Sequence, residues 1–290
     1  MKTNDSPGDA CGDTPGTPPV DRDDRDRDAR DHTPGSAAMI AATDVVIRGR
    51  RTAKLLADPV GANFAPLSDA DRGTLDGMIE LAGHAPFHRR ADESHRGGTL
   101  DSIVPWRFHV LERDACGRLV EELRARAAAD GADPRWNRAA NSKIPALLAA
   151  AGALVQVTWL PNPARGNAAG ADAAGADAAG ADAAGAGAAG ANATSGDLLD
   201  DDVEHVAAAS AAVQNLLLAA EANGWYGYWS SGGILRGPEL FERLGIAPEE
   251  RPLGSIFLTP PDGAFDRNVP GGLRESRGKP SSWSRRVTLD

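Results

Sequence analysis

The chain has 290 residues, a net charge of -10 and two cysteines. The acidic balance leaves no basic face to neutralise nucleic-acid phosphates. Cys11 and Cys116 offer neither a disulfide framework nor a metal-ligand spacing. No apolar run approaches the ~18 residues of a bilayer span, and the N-terminus lacks the apolar stretch of a secretory signal. A cytoplasmic protein with no nucleic-acid or membrane partner is expected.

Not all of that length reads as folded. Residues 1–38 are nearly free of large apolar side chains and dense in Asp, Arg, Pro and Gly. Such a stretch cannot bury enough apolar surface to offset the entropy of ordering it, so a disordered tail is predicted. The mixed-sign run from Asp21 to Asp28 is a passive extension or an interaction arm. Met39 opens the first fold-competent stretch and is a candidate translation start. A second segment, about 163–196, repeats Ala-Ala-Gly-Ala-Asp. A glycine in every five residues costs roughly 1 kcal/mol each relative to alanine in a helix, which predicts a flexible surface insertion. What remains, about 220 residues, is enough for one domain with a sizeable core, spanning 39–290 around that insertion.

In chain order, a short helix is predicted from Thr43, with Thr43 or Asp44 capping Val45, Val46 and Ile47. A firmer helix starts at Ser68, where Ser68 and Asp71 have capping-box spacing. Its Leu75, Met78, Ile79 and Ala82 form a core-facing stripe, and Pro86 ends it. Trp106 to Val110 alternates as a strand. Asp114 is expected to cap a helix carrying Leu119, Val120 and Leu123, ending near Gly131. Leu154 to Trp159 reads as a buried strand. The longest helix is placed at Asp201 to Ala222, with Val203, Val206, Val213, Leu216, Leu217 and Ala220 as apolar positions and Asn223-Gly224 as its stop. A strand through Trp225 to Trp229 follows, then a helix bracketed by Pro238 and Gly245, then a strand over Leu253 to Leu258. Neither G-x-G-x-x-G nor G-x-x-x-x-G-K-[ST] occurs between these elements.

Several residues could carry chemistry. Arg50, Arg51 and Thr52 offer two forked guanidinium donors and a hydroxyl suited to a phosphate, although an arginine pair can equally be a solvated surface feature. His84 and His88 have the i, i+4 spacing of some zinc sites, but Pro86 between them disfavours the helix that would align them. Trp106 is a core ring or a neighbour of a flat ligand. From Gly224 to Gly233 aromatics alternate with glycines and end in small hydroxyls, which lets a backbone approach a polar ring edge closely. No Ser-His-Asp or Cys-His set stands out.

The order of these features is more informative than any one of them. Arg50-Arg51-Thr52 follows the first helix, Ala85-Pro86 precedes a histidine, and Pro105-Trp106-Arg107-Phe108 enters a strand. A long Ala-rich helix, Gly224 with Trp229-Ser230-Ser231-Gly232, and Leu244-Gly245-Ile246 before a final strand complete the set. Together they resemble the nitroreductase family, and more narrowly its small bacterial NAD(P)H nitroreductase branch, over about Val45 to Pro261. The resemblance implies an α+β, nitroreductase-like fold: an antiparallel-rich central sheet flanked by helices, in a homodimer with one FMN at each end of the subunit interface. Arg50, Arg51 and Thr52 match the family's Arg-Arg-Ser flavin contact. His84 and His88 fall where the partner subunit lends flavin contacts. Trp229, Ser230 and Ser231 match a Trp-Arg-Ser contact. Ala219, Ala220, Glu221, Ala222, Asn223 and Gly224 correspond to the nicotinamide-nucleotide segment.

The chain departs from that pattern at three places. Ser230 replaces an arginine, His84 stands where the branch often has arginine, and the segment between His88 and Pro105 is longer. The implied reaction carries electrons from NAD(P)H through FMN to a nitroaromatic, a quinone or a similar flat acceptor by a ping-pong route, with the hard chemistry supplied by the cofactor and no catalytic side chain assigned. The same fold also accommodates a reductive dehalogenase, a flavin-consuming enzyme or a non-catalytic flavin-binding regulatory protein.

Overall fold

A computed structural model describes residues 36–96, 100–161 and 200–287. Tail residues 1–35 and the Ala/Gly/Asp repeat lie outside the described residues. The chain divides into two units, 1–45 and 46–290. The first holds most of helix α1 (Ala37–Gly49), none of whose residues is buried. Thr43 lies inside this helix rather than capping it, and its hydroxyl donates to the Met39 carbonyl. The cap is Ser36, whose Oγ accepts from the Met39 N–H at 3.2 Å, so helix begins before the expected end of the tail.

The second unit is built on an antiparallel sheet in the order β2-β3-β5-β4. Its strands are β2 (Trp106–Glu112), β3 (Ala153–Trp159), β4 (Tyr226–Ser230) and β5 (Arg251–Thr259). A smaller antiparallel pair joins β1 (Ala53–Leu56) to β6 (Arg267–Pro270). Strand alternation divides the core between the two faces of the sheet. Ala153, Val155, Val157, Ile256 and Leu258 pack with Leu75 and Met78 of α2 (Asp69–Ala82) and with Val213, Leu216 and Leu217 of α6 (Asp200–Ala222). On the other face, Leu154 and Phe257 meet α3 (Arg113–Ala128), α4 (Pro134–Ala140), α5 (Ile144–Ala150) and α7 (Pro238–Arg243). Helices therefore cover both faces of an antiparallel sheet, which is the expected α+β arrangement.

The differences from expectation have local causes. Ser68 caps α2 as predicted, accepting from the Asp71 N–H at 3.1 Å. Asp114 does not cap α3; it lies in the first turn and pairs with Arg118 one turn on. Helices α4 and α5 went unrecognised because seven-residue helices hold too few positions to show a period. Strands β1 and β6, four residues each, are defined by each other across the chain rather than by local pattern. Val203 of α6 is exposed rather than apolar-face. Residues Asp202–Ala222 are long and apolar enough to cross a bilayer by length and composition, contrary to expectation. Their apolar side chains are used in the core: Ala209, Ala212, Val213, Leu216 and Ala220 are fully buried.

Candidate functional site

One edge of the sheet gathers residues that are remote in sequence. β4 is an edge strand, and Thr52 forms an isolated parallel bridge with its Gly227. That bridge sets Arg50-Arg51-Thr52 alongside the strand that ends in Trp229 and Ser230. Trp229 lies two residues, ~7 Å, beyond the bridge. A Cβ on Gly227 would sit 2.7 Å from the Leu217 side chain, which would have to shift to admit it.

The Arg50–Thr52 segment is held by the chain's C-terminal part. The Gly271 N–H donates to the Thr52 carbonyl at 3.1 Å, continuing the register that pairs Ala53 with Pro270. The Arg274 guanidinium donates to the carbonyls of both Arg48 and Arg50. Arg51 pairs with Glu275 at 3.5 Å, with both side chains exposed. Burial and the adjacent Arg274 charge push the Arg50 pKa down, and the Glu221 carboxylate opposes them only in part. Two guanidinium groups so placed repel each other, and an anion between or beside them removes that repulsion. Lys54 adds a further positive charge, 5.2 Å over the Tyr228 ring.

At the other end of β4 the side chains of Trp229 and Ser230 project to opposite faces, as consecutive strand residues must. The Trp229 indole lies across Gly254, where a Cβ would come within 2.2 Å of its Nε1. Beyond Ser230 the backbone turns sharply through Gly232 (φ +93°) and Gly233 (φ +52°), conformations that L-residues with side chains rarely adopt. The Gly232 N–H donates to Ser230 Oγ at 3.2 Å.

The remaining expected positions scatter. Ala219 and Ala220 are buried in the core, so of that segment Ala222, Asn223 and Gly224 face solvent and Glu221 faces Gly49 and Arg50. His84 and His88 are exposed on the loop after α2. Between them, Ala85 packs against Ala208, Ala209 and Ala212 in the middle of α6. Glu221 lies nine or more residues further along that helix, ~14 Å at 1.5 Å per residue. Within one chain the two histidines and the arginine pair therefore do not meet. Trp106 is a core ring, edge-on to Phe87 at 5.8 Å.

Other polar residues are paired away from this edge. Buried Arg107 donates to the carbonyls of Ser102, Val104 and Trp106 and so ties down the loop before β2. Buried Glu250 accepts from Thr158 and bonds His109 Nε2 at 2.7 Å. Burial pushes the Glu250 pKa up, but hydrogen bonds from His109 and Thr158 and the charges of His109 and Arg107 outweigh it, leaving it below the usual value. Burial pushes the Cys116 thiol up to about 12, so it is no nucleophile. Among the described residues no group of three His, Cys, Asp or Glu could hold a metal ion.

No family model and no curated relative matches the chain. Among solved structures it is similar to a nitroreductase-like family protein from Bacillus cereus, at 16% identity, covering 82% of this chain and 95% of that one with a TM-score of 0.47. It is also similar to the nitroreductase CinD from Lactococcus lactis in complex with nicotinic acid, at 12% identity, 86% and 99% coverage and a TM-score of 0.48. The FMN-dependent nitroreductase NfnB from Mycobacterium smegmatis, in complex with NADPH, aligns at 17% identity, 85% and 99% coverage and a TM-score of 0.44.

Proposed function

We propose that this chain is an FMN-dependent oxidoreductase of nitroreductase type. It takes electrons from NAD(P)H and passes them by ping-pong exchange to a nitroaromatic, a quinone or a similar flat acceptor. The observation that carries the reading is the Thr52–Gly227 bridge, which sets the phosphate-suited Arg50-Arg51-Thr52 beside the first half of β4, the strand whose far end carries Trp229 and Ser230. An FMN fits that arrangement chemically. Its phosphate relieves the repulsion between Arg50 and Arg274, and its ring edge meets the turn after Ser230.

In this reading Arg50 and Arg51 hold the phosphate with charge-assisted hydrogen bonds, and Thr52 adds a hydroxyl donor. The hydroxyls of Ser230 and Ser231 and the backbone of the glycine turn orient the polar edge of the ring. FMN, when bound, supplies the hydride and electron chemistry. Donor and acceptor occupy the same open face in turn, so no side-chain acid–base pair is needed. His84 and His88 serve the site of a second copy, since they cannot reach their own chain's arginine pair.

The test is an absorbance scan of the purified protein. A yellow protein that is bleached by NADPH without oxygen and recoloured by a quinone or nitroaromatic supports the proposal. A yellow protein inert to both nucleotides leaves only flavin binding, and the reductase reading fails.

A further inference from the structure

One row of polar side chains crosses every strand of the main sheet, and its two middle members are buried. His109 lies opposite Gln156, Gln156 opposite Ser255, and Ser255 opposite Ser230. Directly opposed residues share a face, so the row runs beneath the helices α3 to α5 and ends at the turn after β4. Gln156 and Ser255 are 2% and 1% exposed. Ser255 Oγ donates to Gln156 Oε1 at 2.5 Å, and Gln156 Nε2 donates to the Leu235 carbonyl at 2.5 Å. The serine thus fixes which way the glutamine amide points, and the amide fixes Leu235, which belongs to the single helical turn after Gly232.

The serine oxygen has a second role. It occupies the place where a Cβ on Gly232 would stand, 2.7 Å away, with Gly232 at φ +93°. The turn from Ser230 to Leu235 is therefore held at two points, by Ser230 Oγ on the Gly232 N–H and by Gln156 on the Leu235 carbonyl, while Ser255 leaves no room for a side chain at Gly232. Burying an amide and a hydroxyl gains nothing over packing apolar groups of the same shape, and it costs stability unless every bond is made. What the row does achieve is a fixed path for that turn.

We infer that Gln156 and Ser255 are positioning residues for the flavin ring edge, acting through the Ser230–Leu235 turn rather than by touching the ring. The inference rests on the proposed function and adds a division of labour to it. The arginine pair sets whether a phosphate is held, and the buried row sets how the ring edge is hydrogen-bonded. Donors fixed at that edge favour the reduced, more negative ring, so loosening them lowers the reduction potential.

The test titrates apoprotein with FMN and with riboflavin, which lacks the phosphate, and then measures the potential of the bound flavin. Ser255→Ala and Gln156→Leu should weaken both flavins by the same factor, about tenfold, which is roughly one hydrogen bond, and should lower the potential. The ratio of FMN to riboflavin affinity should stay at its wild-type value. Gly232→Ala should cost less in a Ser255→Ala background than alone, because the clash with the serine oxygen is gone. If Gln156→Leu does not fold, Ser255→Ala, which removes a single oxygen, carries the test. Variants with wild-type affinity for both flavins and unchanged potential overturn the inference while leaving the flavin reading intact. Wild-type protein that binds neither flavin overturns the reading and the inference together.

Discussion

At Arg50–Thr52 the backbone is held from outside by exposed and charged contacts of the C-terminal segment: Arg274 on two carbonyls, Glu275 on Arg51, Gly271 on Thr52. At Ser230–Leu235 the turn is supported from beneath by a glutamine and a serine sealed in the core. The two ends of one proposed site are thus built from opposite materials. Exposed charges attract an anion at long range, but they are screened by salt and bend to fit. A satisfied buried network is insensitive to salt and holds a geometry rigidly. Affinity for a phosphorylated cofactor should therefore be governed at the first end and the behaviour of its ring at the second.

The largest effect that can break this contrast is expected from Arg50→Ala with Arg51→Ala. Two charge-assisted hydrogen bonds at about 1.5–3 kcal/mol each correspond to at least a hundredfold loss of FMN affinity. Riboflavin affinity should not change, and an equal loss for both flavins in a titration would erase the distinction between the ends. Arg274→Gln should cost about tenfold for FMN alone, since it removes one positive charge and loosens the clamp on the Arg48 and Arg50 carbonyls. Raising salt from low ionic strength to about 0.5 M should weaken FMN binding several-fold and leave riboflavin binding flat. A parallel salt slope for riboflavin would place the ionic contribution elsewhere.

The smallest expected effect concerns Glu250, at the far end of the buried face. Its pKa lies below the ordinary glutamate value, so its stabilising contribution is complete above that value and is lost as pH falls below it. Glu250→Gln should therefore flatten the acid limb of a pH–melting-temperature curve below about pH 4.5 relative to wild type. An unchanged acid limb would show that the His109–Glu250 pair contributes no pH dependence.

The long elements were legible in sequence because their signals are local. The Ser68 cap, the Leu75–Met78–Ala82 stripe and the continuous apolar run of β3 each need only one stretch of chain. The arginine pair was legible as chemistry, but not its setting. Its bridge to Gly227 and its clamp by Arg274 join residues far apart in the chain, and no local period encodes them. Gln156 was hidden differently: inside an apolar strand it reads as one more position of the run, and only its strand partners show that it belongs to a polar row. The i, i+4 spacing of His84 and His88 was legible and led nowhere within one chain, because the loop after α2 carries both out to the surface.

The central claim is that this chain binds FMN through the edge of β4, and the most direct measurement is an equilibrium titration of the apoprotein with FMN, followed by the shift of the flavin absorbance bands. Saturation at one FMN per chain, with riboflavin binding more weakly, is the expected result. Protein that stays colourless and leaves the spectrum of added FMN unchanged would contradict the account.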